Sequence, residues 1–260
     1  MITFLLVSFF ASVIGAICGI GGGVIIKPVL DMVSAESVAA INFLSGCTVL
    51  SMSTYSVGKA LIKKEKAVNM ATGTPLAVGA AVGGILGKEL FSFVKHSVSS
   101  PENLSVIQAV ALGIITVGTL IYTVNKNKVH THSVKNKVAC VLIGIALGVM
   151  SSFLGIGGGP INLVVLYFFF SMDTKTAASN SLYIIFFSQL ANLIASVATH
   201  AVPEFDTLSL VVMIVGGIGG GIVGRALNKK INSSTVEKLF IGLMSVIILI
   251  CVYNAVKNFI

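Results

Sequence analysis

The sequence predicts an all-α integral membrane protein of two inverted repeats, each a glycine-broken helical hairpin followed by three transmembrane helices. Three observations carry that expectation. The 260 residues are 55% hydrophobic and only 10% charged, with a mean hydropathy of +1.01, whereas soluble domains carry about 25% charged residues. The charges are confined to short segments between long apolar runs. The second half of the chain also repeats the first. A disordered chain, a collagen-like fibre and a secreted disulfide scaffold are excluded on composition.

Runs free of Asp, Glu, Lys and Arg cover 1–26, 37–58, 67–87, 103–125, 138–172, 176–199, 207–224 and 239–256. A hydrocarbon core of about 30 Å takes roughly 20 helical residues, so six of these runs supply one span each. The other two are interrupted. Residues 1–26 break at Gly19-Ile20-Gly21-Gly22-Gly23 and resume past Lys27 and Pro28 to Met32. Residues 138–172 break at Gly155-Ile156-Gly157-Gly158-Gly159-Pro160. Glycine runs and proline end helices, and an open backbone at membrane depth survives only inside protein or beside a cavity. Each segment is therefore a pair of short helices, the second members falling near 24–32 and 160–171. A signal peptide is the other reading of the N-terminus. It lacks a positive n-region and its glycine break recurs mid-chain, so it belongs to the fold.

Three anchors fix the repeat. The two glycine segments match at an offset of 136, Ala39–Asn42 matches Ala177–Asn180 at 138, and Gly83–Lys88 matches Gly220–Arg225 at 137. Repeat 1 spans 1–124 and repeat 2 spans 138–260, joined by a polar linker, 125–137. Loop charge then sets the topology. With both broken segments as hairpins, loops 59–66 (which include Lys64 and Lys66), 126–137, 171–176 and 225–238 share one side and hold 13 of the 17 Lys and Arg residues. The positive-inside rule makes that side cytoplasmic. The halves are then inverted, with both termini on the opposite side. Inverted repeats with broken helices are a transporter architecture, its site near the midplane where the repeats meet.

In each half the glycines precede a short helix, and Pro160 suits a first helical position. A helix N-terminus offers unpaired N–H donors and partial positive charge. Two such ends brought together make a pocket for a small anion. The candidate binding residues are Gly21, Gly22, Gly23, Gly157, Gly158 and Gly159, with Asn42 and Asn180 as neutral amide donors and Lys27 as a charged contact. The bland alternative is that the glycines only let helices pack closely, which is the reading for Gly83, Gly87, Gly220 and Gly224. Lys88 and Arg225 read as interfacial cations, with anion attraction as the alternative. Gln189 and Asn192 read as partners for neighbouring helices.

No nucleophile–base pair and no metal-ligand cluster stands out, so neither an enzyme nor a cofactor is expected. Cys18, Cys47, Cys140 and Cys251 lie in apolar runs as small hydrophobes. The net charge of +8 reflects loop lysines rather than a nucleic-acid surface. A dinucleotide fold fails for want of a βαβ unit. No acidic residue falls near the centre of an expected span, so in a carrier coupled to protons the expectation is that the proton rides on the substrate or on another group.

Gly15-x3-Gly19-Ile-Gly21-Gly22-Gly23-x4-Pro28, echoed by Ser151-x3-Gly155-Ile-Gly157-Gly158-Gly159-Pro160, resembles the sulfite exporter TauE/SafE family over essentially the whole chain. The second copy departs from the first, with Pro160 directly after the glycines and Val164 in place of Pro28. The resemblance implies small sulfur-containing anions such as sulfite or organosulfonates as cargo. The expectation is thus a multi-pass inner-membrane carrier that moves a small anion by alternating access around the two glycine loops. A carboxylate carrier and a non-transporting assembly factor are the alternatives. The bilayer, the anion and a second copy of the chain are the partners considered.

Overall fold

A computed structural model describes residues 1–63, 69–98 and 101–257. Lys64, Glu65 and Lys66, part of the first basic loop, lie outside them. The described residues form ten α-helices and one short 3₁₀ turn, with no strand. The glycine segments divide the first hairpin into α1 (Ile2–Cys18) and α2 (Gly23–Val33), and the second into α6 (Lys137–Phe153) and α7 (Pro160–Phe170). Six helices are long and apolar enough to cross a membrane: α3 (Val38–Ile62), α4 (Met70–Ser97), α5 (Pro101–Asn125, its apolar part Asn103–Asn125), α8 (Thr174–Ala198), α9 (Thr207–Lys230) and α10 (Ser233–Lys257).

Side chains start most of these helices where the sequence offers an oxygen. Ser37 caps α3, Asn69 caps α4, Asn136 caps α6, Asp173 caps α8 and Asp206 caps α9. Pro160 opens α7, where a missing N–H costs nothing. Partial burial works against ionising Asp173, but the hydroxyl and N–H of Thr176 and the N–H of Lys175 outweigh it and hold the carboxyl below the ordinary range. Asp173→Ala should cost about 1 kcal/mol. A depressed pKa means this contribution is complete above the unfolded value, about 3.9, and is lost as pH falls through the lower folded value. Thermal melts in detergent should therefore separate variant from wild type at neutral pH and converge in acid.

Packing follows the small residues. A Cβ on Gly79, Gly83 or Gly87 of α4 would overlap the carbonyl oxygen of Val141, Ile145 or Val149 of α6 in turn, so the two helices run parallel with backbones in contact. Gly216, Gly220 and Gly224 of α9 meet Leu5 and Ser8, Phe9, and Val13 of α1 in the same parallel sense. Sequence-matched helices run antiparallel instead. Gly46 of α3 faces Gln189 of α8, while Val57 shares a buried cluster with Tyr183 and lines a small pocket with Leu182 and Ala178. In α5 and α10, Gly113 faces Cys251, and Lys126 just past α5 pairs with Glu237. The halves interleave, so the tightest contacts of each are with the other.

Three contacts gather the basic loops at one end of the bundle. The backbone N–H of Asn69 donates to Asn180 Oδ1 (3.1 Å), the Ser171 hydroxyl lies 2.7 Å from the Thr131 hydroxyl and 3.0 Å from the His132 carbonyl oxygen of the linker, and Lys126 pairs with Glu237. At the opposite end Lys257 Nζ donates to the Met32 carbonyl, and Ser209 Oγ reaches Met1.

Candidate functional site

The two glycine loops meet where α3 and α8 cross. A Cβ on Gly23 would overlap the Ile156 carbonyl oxygen, so the first loop lies directly on the second. Val49 of α3 and Ile185 of α8, each near the middle of its helix, hold the junction from either side. Two independent restrictions require glycine at position 158. Its φ is +133°, which L side chains rarely adopt, and a Cβ there would overlap Ile185.

From the end of the bundle opposite the basic loops, a cavity of about 320 Å³ reaches down to this junction. Gly155 and Gly157 form its floor, beneath Asn42 of α3 and Gln189 and Asn192 of α8. Ser151 and Ser152, the last polar residues of α6, add to the polar lining, as do Ser92 and Ser196. Several of these atoms are buried with no hydrogen-bond partner: Gln189 Nε2, Asn42 Oδ1, Asn192 Oδ1 and the hydroxyl oxygens of Ser151 and Ser152. Unsatisfied buried groups are costly, and these gather around one cavity.

The mouth is different. Lys88, Lys95 and His96 of α4 line it, with Phe43 and Phe91 as apolar walls, and none of the described lining residues is acidic. Lys88 sits about 13 Å along α4 from Ser97 and donates to the Thr199 hydroxyl at 3.2 Å. His96 Nδ1 donates to the Ser92 carbonyl at 2.7 Å. The entrance therefore carries cations, while the floor is uncharged and mixes donors (Gln189 Nε2 and the two serine hydroxyls) with the acceptor oxygens of Asn42 and Asn192.

The sequence candidates divide. Asn42 and Gly157 line the cavity, and Gly158 and Gly159 continue the loop into α7. Gly21, Gly22 and Gly23 lie behind the second loop, packed on Val49, on Ser12 and on Ile156 with Ser45. Asn180 is fully buried at the basic end, where its Nδ2 donates to the Thr176 carbonyl at 2.8 Å and its Oδ1 accepts from Asn69. Lys27 lies outside the cavity and pairs with Asp31 at 2.7 Å. Lys88, for which anion attraction is the alternative reading, lines the cavity too, as do Gln189 and Asn192, read from sequence as partners for neighbouring helices. Lys95, His96, Ser151, Ser152 and Ser196 line it without being candidates from sequence. Their signal was spacing, since 189, 192 and 196 share one helical face, as do 88, 92 and 95.

A much smaller pocket of about 30 Å³ lies toward the basic end, lined by Ala16, Ser56, Ala178, Arg225 and Asn228. Arg225 is the repeat mate of Lys88, and Ala16 that of Ser152. Here the side chains close the space. Arg225 Nη1 donates to the Ser56 carbonyl at 2.9 Å and Asn228 Nδ2 to the Ile17 carbonyl at 2.6 Å.

Comparison with known proteins agrees with the architecture. The family model described as sulfite exporter TauE/SafE matches residues 4–250. The chain is 24% identical over 249 residues to the probable membrane transporter protein YunE of Bacillus subtilis (strain 168), covering 87% of this chain and 88% of that one. No solved structure matches the chain.

Proposed function

Because the chain belongs to the sulfite exporter TauE/SafE family of membrane proteins, we propose that it is a secondary carrier of a small oxyanion, sulfite or an organosulfonate, working by alternating access around the second glycine loop. One observation carries this reading: a cavity with three basic side chains at its mouth and unpartnered neutral polar groups at its floor. The pocket closed by Arg225 and Asn228 is read as the same passage in its shut form, related to the open one by the repeat. The antiparallel course of the matched helices supports inverted halves. With the basic loops cytoplasmic in an inner membrane, the cavity opens to the other face.

Flux into proteoliposomes of the purified protein tests the reading, with sulfite as probe and sulfate, sulfoacetate and thiosulfate as competitors. Saturable uptake supports it, and competition by carboxylates in place of sulfonates shifts the cargo class. No uptake of any anion by folded protein removes it and leaves an assembly role. Lys88→Met should raise the apparent KM about three- to tenfold, the worth of roughly 1 kcal/mol for a partly hydrated charge. It should also flatten the dependence of KM on salt while maximal flux changes little.

A further inference from the structure

We propose that Lys27, Asp31 and Gln108 form a proton-binding site that couples the carrier to the proton gradient, an inference that rests on the carrier reading above. Lys27 Nζ and Asp31 Oδ2 are 2.7 Å apart, with side chains only 3% and 9% exposed. Beside the pair is a cavity of about 10 Å³, lined also by Gln108 of α5 and by Cys251 and Asn254 of α10. It has room for one water-sized species and no larger ligand. Two oxygens around it, Asp31 Oδ1 and Gln108 Oε1, are buried without a hydrogen-bond partner. Gln108 is 1% exposed and commits its Nε2 to the Phe153 carbonyl. An ionised carboxylate and an amide oxygen can only accept. A proton on Asp31 Oδ1 turns it into a donor, and Gln108 Oε1, directly or through one water, is an acceptor lining the same cavity.

The fold does not need the pair. In α7, the repeat mate of α2, the corresponding residues are Leu163 and Tyr167, and both are buried. The chain therefore builds the same short helix with apolar residues, which usually stabilise at least as well as a buried ion pair. Buried ionisable groups in a membrane protein mark candidate ion and proton sites, and this pair lies toward the end of the bundle opposite the basic loops, where Met32 beside Asp31 accepts from Lys257. The other groups around Asp31 are few. Helix α1 carries no charged residue, and Lys59 of α3 lies at that helix's far end. Helix α10 contributes Cys251 and Lys257, whose Nζ donates to the Met32 carbonyl. Protonation takes the pair from neutral to a single positive charge, which offsets a bound monoanion. The two sites are joined through α2, which places Asp31 about 12 Å along its axis from Gly23, and Gly23 rests on Ile156 between the two floor glycines.

The test compares wild type, Asp31→Asn, and the double variant Lys27→Leu with Asp31→Tyr, which installs the α7 residues and leaves no lone charge. pH-difference infrared spectroscopy should show the carbonyl band of a protonated carboxyl growing on acidification of wild type and missing from both variants. In proteoliposomes, acceleration of sulfite uptake by an imposed pH gradient should likewise disappear in both variants. An unchanged band in Asp31→Asn, an undiminished pH-gradient effect in the double variant, or a sodium gradient substituting for the pH gradient overturns the proposal. The infrared readout needs no substrate. It therefore decides on the proton site even if sulfite is not carried.

Discussion

Gly83→Leu is expected to leave no folded protein in detergent extracts. Within a bilayer, helices have no hydrophobic drive to associate, because lipid tails are as apolar as leucine, and close backbone contact takes its place. At Gly83 that contact is so close that even a Cβ would overlap the Ile145 carbonyl oxygen. Backbone cannot yield as a flexible side chain can, so α4 and α6 must separate over several turns. Gly79 and Gly87 would lose their contacts with Val141 and Val149 as well. The cost should exceed the roughly 1–3 kcal/mol of ordinary overpacking. Gly118→Leu is the control: the position faces open space, and the change should stay within about 0.5 kcal/mol. Size-exclusion profiles of the two variants distinguish the outcomes. Monodisperse Gly83→Leu protein with a wild-type melting temperature would show that the α4–α6 seam is not what holds the bundle.

Gln189→Leu should reduce sulfite flux about ten- to hundredfold with the fold intact. The side chain is 3% exposed, its Nε2 has no hydrogen-bond partner, and it stands over Gly157. A hydrogen bond to a charged group is worth about 1.5–3 kcal/mol, which converts to that loss of affinity. Stability should hold or rise slightly, since the substitution removes an unsatisfied buried amide. If Gln189 were only a packing residue, leucine would fill the space and flux would survive. Melting curves recorded beside flux separate a lost contact from a lost fold.

Much of the architecture was legible because glycine runs and charge-free lengths act locally. The breaks at Gly19–Gly23 and Gly155–Pro160 end helices wherever they occur, and the six long spans follow from hydropathy. The site was legible only in part. Of the residues that line the cavity, Gly157 stands out in sequence because a broken backbone advertises itself and Asn42 because its repeat mate is another asparagine, whereas Gln189, Asn192 and Ser196 do not. A polar face on a membrane helix looks the same whether it meets another helix or a cavity. Asn180 illustrates the limit of repeat logic. It matches Asn42 in sequence, yet at the basic end it fastens the start of α4, and its mate lines the open cavity. Lys27 was singled out for its charge, and sequence alone could not show that Asp31, one turn later, takes that charge up.

The interleaving of the two halves bears on how the protein is made. The small-residue face of α1, Ser8, Ser12 and Ala16, fits against α9, whose first residue is Thr207. At roughly 5–20 residues per second, synthesis of the intervening chain takes on the order of 10–40 s. For that interval α1 sits in the bilayer without its partner and turns a face meant for glycine toward lipid. A ribosome stalled midway releases a half that has lost most of its packing surface, which makes the fragment a ready substrate for membrane proteases.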